Sequence, residues 1–227
     1  MFVHLPSRRK PHPPWATLLI VAVSVVVFLW LVTEPPDERG ELIAQWGTVP
    51  TTLLDGRAPW LQQLLELRAA RLVTAIFIHA DWLHLTGNLL FLIVFGVPAE
   101  RALGSTRFLA LFLIGGALAN LAGAWTLASI RSPIIGSSGA VSAVVGAYFA
   151  LFPRARLGLV LPLGVFLEFV RIPAPLLIGF WILLQLLFTY AGPTFGAVAW
   201  WTHIAGFAVG IVFALLSRPA IARRLRH

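Results

Sequence analysis

The sequence predicts an all-α polytopic membrane protein with six transmembrane helices in one bundle. Of its 227 residues, 59% are hydrophobic and only 11% are charged, whereas a soluble domain carries about 25% charged residues. The apolar residues fall into separate stretches, and the first of them is long enough to cross a hydrocarbon core of about 30 Å as a helix. A single polytopic domain is expected, because no long polar segment could fold separately.

The first span is predicted from Trp15 to Val32, after a basic segment over residues 1–14. It is interpreted as a retained helix and not as a signal peptide, because it runs into Pro35 and Pro36 without a small-residue cleavage pattern. Residues 34–82 then form a predicted extracytoplasmic loop, which holds seven of the nine acidic residues. Within that loop, the helical spacing from Leu61 to Phe77 predicts a segment lying in the membrane interface.

Five further apolar segments predict the remaining spans of a membrane domain over residues 15–217. They are Leu83 to Val97, Phe108 to Ala128, Ser138 to Phe152, Pro175 to Tyr190 and Ala197 to Leu216. A shorter apolar piece, Leu157 to Val170, is broken by Pro162 and Gly164 and is predicted to be a connector or partly re-entrant. Residues 218–227 form a basic tail.

The basic residues predict the orientation. With the N-terminus inside, eleven of the seventeen Lys and Arg residues fall on the cytoplasmic side, as the positive-inside rule requires. Six spans then return the C-terminus to the cytoplasm. The net charge of +8 is therefore attributed to membrane topology, and nucleic acid is not expected as a partner. The absence of cysteine excludes a thiolate nucleophile, disulfides and cysteine-based metal sites.

A short motif, Gly136-Ser137-Ser138-Gly139, precedes a helix of small apolar residues. Its glycines allow another group to approach closely, and the start of a helix offers unpaired N–H groups that can hold a negative charge. This layout is typical of an acyl-transfer nucleophile, provided that a base lies nearby. The alternative is a motif that serves only close helix packing, and the residues of the motif leave both interpretations open.

His203 is the strongest candidate for the base. It lies near the outer end of the last span, on the same predicted side as Ser138, and Gly206 and Gly210 follow at +3 and +7 on its own helix face. That face would let the helix press against the Ser138 helix. An ionisable residue within a span is a functional hypothesis by default, and an interfacial histidine on a packing face is the alternative.

His84 and Asn88 are four residues apart and therefore share one helix face. Two side-chain donors on one face near the outer surface could stabilise a developing oxyanion. His79, Asp81 and His84 are weak candidates for metal ligands, because their spacing is not that of a His-Glu-X-X-His site. No metal and no cofactor are expected.

Residues 79–88, 100–104, 136–140 and 203–207 together closely resemble the rhomboid family of intramembrane serine proteases, over about residues 65–217. The resemblance implies that Ser138 is the nucleophile and His203 its general base, without a third acidic residue. It also implies that His84, Asn88 and the Ser138 backbone N–H form the oxyanion hole. The implied substrates are single-span membrane proteins in the lipid bilayer.

The simple six-span layout resembles the bacterial form of the family, which implies the bacterial inner (plasma) membrane. The resemblance further implies that the long loop, with Arg71, lies partly in the outer leaflet. The fifth span, with Trp181 and Gln185, would move to admit substrate laterally.

Two positions depart from the family pattern. Ser142 stands where many members carry an aromatic residue that supports the histidine, so His203 is expected to be held differently, for example by a hydrogen bond. Ala70 precedes Arg71 where a Trp-Arg pair is typical.

The sequence gives less support to two other functions. A catalytically inactive rhomboid-like escort or binder is disfavoured because Ser138 and His203 are retained and Ser137, not proline, precedes the serine. A small transporter is disfavoured because the spans lack paired charged residues.

Overall fold

The computed structural model describes residues 13–53, 68–163, 166–191 and 200–226. Four of its helices are long and apolar enough to cross a membrane: Trp15–Thr33, Trp82–Leu103, Ser105–Thr126 and Trp200–Arg223. Two shorter apolar helices are Ser138–Leu151 and Ala174–Leu187. These six segments correspond to the six predicted spans, and the predicted fold class of a helical membrane bundle is confirmed.

The described helices are numbered here in chain order. They are α1 (Trp15–Thr33), α2 (Pro36–Trp46), α3 (Pro50–Leu53), α4 (Arg71–Thr74), α5 (Trp82–Phe91), α6 (Val97–Leu103), α7 (Ser105–Thr126), α8 (Ser138–Leu151), α9 (Ala174–Ala191) and α10 (Trp200–Arg226). A π-helical stretch, Leu92–Gly96, joins α5 to α6 into one span, and 3₁₀ turns at Arg68–Ala70 and Ala75–Phe77 flank α4.

Glu100 fixes the start of the first span to the end of the second. Its buried carboxylate accepts hydrogen bonds from the backbone N–H groups of Ala16 and Thr17, at 3.0 and 2.8 Å, and from the Thr17 hydroxyl at 2.6 Å. The first N–H groups of a helix have no partners within the helix. A carboxylate at that end therefore satisfies two of them and complements the helix dipole.

Helix α8 lies at the centre of the bundle. Every residue from Gly139 to Tyr148 is buried, as expected of a helix that is apolar on all sides. It packs most extensively against α10, and α7 packs against both. Its 14 residues give about 21 Å of helix, which is shorter than a hydrocarbon core of about 30 Å. The N-terminus of α8, where Ser138 lies, is therefore recessed from one membrane face if its other end meets the opposite face.

A β-hairpin connects α8 to α9. Its strands, β1 (Arg156–Leu163) and β2 (Phe166–Pro173), pair antiparallel from Arg156 opposite Pro173 to Leu163 opposite Phe166. The segment is thus a connector, but the strands themselves were not predicted. A run that is apolar almost throughout has no polar alternation, so its periodicity does not distinguish a strand from other buried structure.

The helical spacing from Leu61 to Phe77 is tested only from Arg68 onward, because residues 61–67 lie outside the described residues. From Arg68 to Phe77 the chain is helical throughout, as a 3₁₀ turn, α4 and a second 3₁₀ turn in succession, and its place in the membrane interface stays a prediction. Hydrogen bonds from other elements anchor this segment. The Thr48 hydroxyl donates to the Arg71 carbonyl at 2.9 Å, and the Asn120 amide donates to the Leu72 carbonyl at 2.9 Å. Such bonds hold the loop against α7.

Candidate active site

The loop before α8 is held in place by backbone bonds. Thr48 and Ile134 exchange two backbone hydrogen bonds, of 3.1 and 2.8 Å, and the N–H of Gly136 donates to the Ala75 carbonyl at 2.9 Å. Gly136 has a φ of 107°, a conformation that favours glycine. A Cβ at this position would lie 2.5 Å from Nε2 of His84. The motif glycines are expected either to admit a close group or to serve helix packing; Gly136 lies outside α8, and the group that it admits is the His84 ring and not a packed helix face.

Ser138 and His203 are brought together at one end of α8 and α10. The Ser138 Oγ lies 2.8 Å from Nε2 of His203. Ser138 is the first residue of α8, and His203 lies in the first turn of α10. Both side chains are partly buried. A hydroxyl and an imidazole at this distance can exchange a proton directly.

The glycines of α10 permit this approach, because a side chain there would strike the α8 backbone. A Cβ on Gly206 would overlap the Gly139 carbonyl oxygen, and a Cβ on Gly210 would overlap that of Ala143. A Cβ on Gly139 would lie 2.8 Å from side-chain atoms of Ala119 and Thr202. The predicted glycine face of His203 therefore lies directly against the serine helix.

Gln185 contacts the other side of the His203 ring. Its Oε1 lies 2.7 Å from Nδ1 of His203, and Gln185 is only 6% exposed. Ser142 stands where many family members carry an aromatic residue, and its hydroxyl donates a hydrogen bond to the Ser138 carbonyl at 2.7 Å. From the sequence, the family resemblance implies only that Gln185 lies on a span that moves to admit substrate. One signal could have identified it, since it is a polar residue within the apolar run from Ala174 to Leu187.

His84 and Asn88 lie one turn apart on α5, which begins after Asp81. The Asp81 carboxylate caps the helix by accepting the His84 backbone N–H at 2.8 Å. The N–H of Ala80 points at Nδ1 of His84 at 3.5 Å, which favours a proton on Nε2, the nitrogen beside Gly136. The Asn88 amide donates to the His84 carbonyl at 2.9 Å, which uses one of its two N–H groups.

His79 forms a second serine–histidine pair, which sequence reasoning did not find. Its Nε2 lies 3.1 Å from the Ser137 Oγ, and its Nδ1 lies 3.3 Å from the Phe77 carbonyl. Since a carbonyl can only accept, the proton sits on Nδ1 and Nε2 accepts from Ser137. Burial, and next the neighbouring His84, lower the pKa of His79 to about 4, so His79 is neutral near pH 7. Among the described residues, no three histidine or carboxylate side chains are grouped as metal ligands.

A family model for the Rhomboid domain matches residues 66–220. The chain belongs to the rhomboid family. This membership supports an intramembrane protease-type function, and it agrees with the apolar helices of an integral membrane protein in a lipid bilayer.

The chain is also similar to several rhomboid proteins. The chain is 31% identical over 140 residues to "Rhomboid-related protein 2" of Mus musculus, which is 60% of this chain and 42% of the relative. It is 26% identical over 164 residues to "Rhomboid protein 1, mitochondrial" of Saccharomyces cerevisiae, covering 69% and 43%. It is 29% identical over 143 residues to "Rhomboid protease GluP" of Bacillus subtilis, covering 62% and 26%. The match thus spans less than half the length of each of these rhomboid proteins.

Proposed function

We propose that the protein is an intramembrane serine endopeptidase that cleaves transmembrane segments of single-span membrane proteins with a Ser138–His203 dyad. The observation that carries this proposal is the distance of 2.8 Å between the Ser138 Oγ and the His203 Nε2. A nucleophile within hydrogen-bond reach of a base, itself held by a third group, is the arrangement that nucleophilic catalysis requires.

In the proposed reaction, His203 Nε2 accepts the hydroxyl proton while the Ser138 Oγ attacks the scissile carbonyl carbon. The tetrahedral intermediate then collapses, the C–N bond breaks, and His203 returns the proton to the leaving amine. Water, activated by the same imidazole, attacks the acyl-enzyme and releases the carboxyl product. The dyad thus alternates between general base and general acid.

The oxyanion that forms in each step needs donors. We assign this role to the Ser138 backbone N–H, the His84 Nε2–H and the second N–H of Asn88. The Ser138 N–H lies at the start of α8, where N–H groups have no helical acceptor and the helix dipole favours a negative charge. Nε2 of His84 would lie 2.5 Å from a Cβ on Gly136, two residues before the nucleophile.

The proposed topology sets the active site below the outer membrane surface. Residues 15–217 form the membrane domain, with the loop over residues 34–82 outside and with cytoplasmic segments at 1–14 and 218–227. We propose the bacterial plasma membrane as the location, on the basis of the six-span layout, and cytoplasmic termini on the basis of the Lys and Arg distribution. The protein's partners are then substrate helices that reach the recessed Ser138 from the lipid phase.

The test is cleavage of a panel of single-span substrates by the detergent-purified protein, with Ser138→Ala and Ser137→Ala as a matched pair. The two serines are adjacent, so each substitution removes one hydroxyl group and the two changes differ only in position. Ser138→Ala should reduce the cleavage rate by at least about 10⁴-fold, as expected for loss of a nucleophile. Ser137→Ala should keep measurable activity. Equal rates in the wild type and in Ser138→Ala would contradict the nucleophile assignment.

A fluorophosphonate probe provides a test that needs no substrate. Labelling should require both Ser138 and His203 and should persist in Ser137→Ala. A well-folded wild type that neither reacts with the probe nor cleaves any substrate would overturn the proposed protease activity and favour the inactive escort.

A further inference from the structure

We propose that Gln185 is the positioning residue of the dyad: its carboxamide oxygen accepts the Nδ1–H of His203 and so keeps Nε2 free to receive the Ser138 proton. This inference rests on the proposed function. It gives the site a Ser-His-Gln order, in which a neutral amide stands where many hydrolases carry a carboxylate.

Two consecutive hydrogen bonds carry the inference. The His203 ring spans from the Ser138 Oγ, 2.8 Å from Nε2, to the Gln185 Oε1, 2.7 Å from Nδ1. Gln185 is 6% exposed, so water competes little for its oxygen. A buried polar side chain in an apolar span is costly unless it has partners, and the imidazole is the partner of the Gln185 Oε1.

The chemistry of imidazole makes the direction of these bonds consequential. A neutral imidazole has one N–H, on either Nδ1 or Nε2. With the proton on Nδ1, the ring donates to Gln185 and Nε2 can accept from Ser138. With the proton on Nε2, the ring would donate to Ser138 and could not act as its base. The orientation in which Oε1 faces His203 stabilises the competent tautomer, and it equally stabilises the Nδ1–H of the imidazolium that forms during attack.

Aromatic rings restrict His203 to this position. The Trp181 ring lies 6.4 Å from the His203 ring at 33°, and the Trp200 ring lies 5.8 Å away and nearly perpendicular. Trp181 is one helical turn before Gln185, so a single face of α9 provides both the ring contact and the hydrogen bond. The support that an aromatic at position 142 would give from α8 is supplied here from α9.

Among the described residues, His84 on α5 is the titratable group whose charge acts on His203. The α8 residues beside it, Ser138 and Ser142, are neutral, and the described side chains of α9 carry no charge. A carboxylate at position 185 would be partly desolvated and would stabilise the imidazolium strongly. A carboxamide orients the ring without that bias, which keeps the histidine neutral before attack.

The first experiment measures kcat/KM against pH for wild type, Gln185→Leu and Gln185→Glu, with Gln45→Glu on the exposed face of α2 as the charge-matched control. Gln185→Leu should lower the maximum kcat/KM about 10- to 100-fold, mostly through kcat, because the His203 ring loses its orienting acceptor. Gln185→Glu should shift the acid limb of the profile, where kcat/KM falls at low pH, to higher pH by about one unit. Gln45→Glu should leave the limb unchanged.

A purely structural role for Gln185 predicts a different result. The acid limb of Gln185→Glu would then superimpose on that of the wild type, and Gln185→Leu would lose activity in proportion to its loss of folded protein. Either result would overturn the inference. Thermal unfolding of each variant, measured in the same detergent, provides the folded fraction for this comparison.

The second experiment does not depend on activity. In ¹⁵N-histidine spectra of the full chain, the signals of His203 are assigned from their loss in His203→Asn. The wild type should show the Nδ1–H tautomer, and Gln185→Leu should show a mixture of tautomers. A wild-type His203 protonated on Nε2 would overturn the role of Gln185 even in an active protease. A wild type that holds the Nδ1–H tautomer but cleaves nothing would contradict the proposed function alone.

Discussion

Two adjacent serines in this protein each face a histidine, and the two pairs differ in burial more than in distance. Ser137 lies 3.1 Å from His79, and Ser138 lies 2.8 Å from His203. His79 is fully buried and Ser137 is 1% exposed, whereas Ser138 and His203 are both partly exposed. A serine–histidine hydrogen bond therefore supports a nucleophile only where the pair is also accessible, as Ser138 and His203 are.

The partners of the two histidines explain the difference. His79 is tied to the backbone through the Phe77 carbonyl, and its Nε2 also faces the Ser137 backbone N–H at 3.4 Å. The buried pair thus fixes the loop that precedes α8. His203 is held by the Gln185 side chain, and its partner Ser138 is the first residue of α8. We expect changes around the open pair to alter rate, and changes around the buried pair to alter stability.

Apart from the loss of Ser138 or His203 themselves, the largest effect expected on the open side comes from Asn88→Ala. Loss of one oxyanion donor should lower kcat/KM by roughly 10- to 1000-fold. The thermal midpoint should change little, because the Asn88 bond to the His84 carbonyl stays within one helix. Thr86→Ala is a suitable control, since Thr86 is an exposed residue of the same helix whose hydroxyl bonds to the Trp82 carbonyl.

An unchanged rate in Asn88→Ala would remove this residue from the oxyanion hole. A fall in activity matched by an equal fall in folded protein would move Asn88 to the structural side of the comparison.

The contrast between the pairs also indicates what a sequence can and cannot predict. Ser138, His84 and His203 stand out because small residues or shared faces surround them, and glycine spacing predicts which helix face is close to another. Together with the predicted orientation of the spans, this spacing predicts that Ser138 and His203 lie at the same end of the bundle.

Gln185 and His79 illustrate what sequence spacing does not show. The contact of Gln185 with His203 depends on how α9 is rotated and how deep it sits against α10, and neither is encoded by spacing within one helix. In the sequence, His79 is only a weak candidate for a metal ligand. Its partner Ser137 is 58 residues away, so sequence spacing does not reveal their contact. Long-range polar contacts of this kind depend on the packing of whole elements, which local patterns do not specify.

On the buried side, His79→Ala should destabilise the protein by about 2–4 kcal/mol, through the lost hydrogen bonds and the cavity that is left. Fluorophosphonate labelling of the protein that remains folded should stay within about tenfold of wild type. His203→Ala should show the reverse, with labelling abolished and a smaller loss of stability. These values come from labelling time courses and from unfolding titrations in mild detergent. Abolished labelling in a fully folded His79→Ala would place His79 in the chemistry and end the distinction between the pairs.

The smallest expected effect is the pH dependence of the buried pair. The pKa of His79 is about 4 in the folded protein, against an ordinary value of 6.5, because burial opposes its charge. Between these values the unfolded chain binds a proton that the folded chain does not, so stability is fully present above about pH 6.5 and falls toward pH 4. The wild type should lose about 2 kcal/mol between pH 7 and pH 5 that His79→Ala does not lose. Unfolding titrations of both proteins at the two pH values measure this difference. If the difference in unfolding free energy between wild type and His79→Ala is the same at both pH values, His79 is charged or solvated in the folded protein. The buried pair then does not hold the start of α8 as a neutral hydrogen-bonded unit.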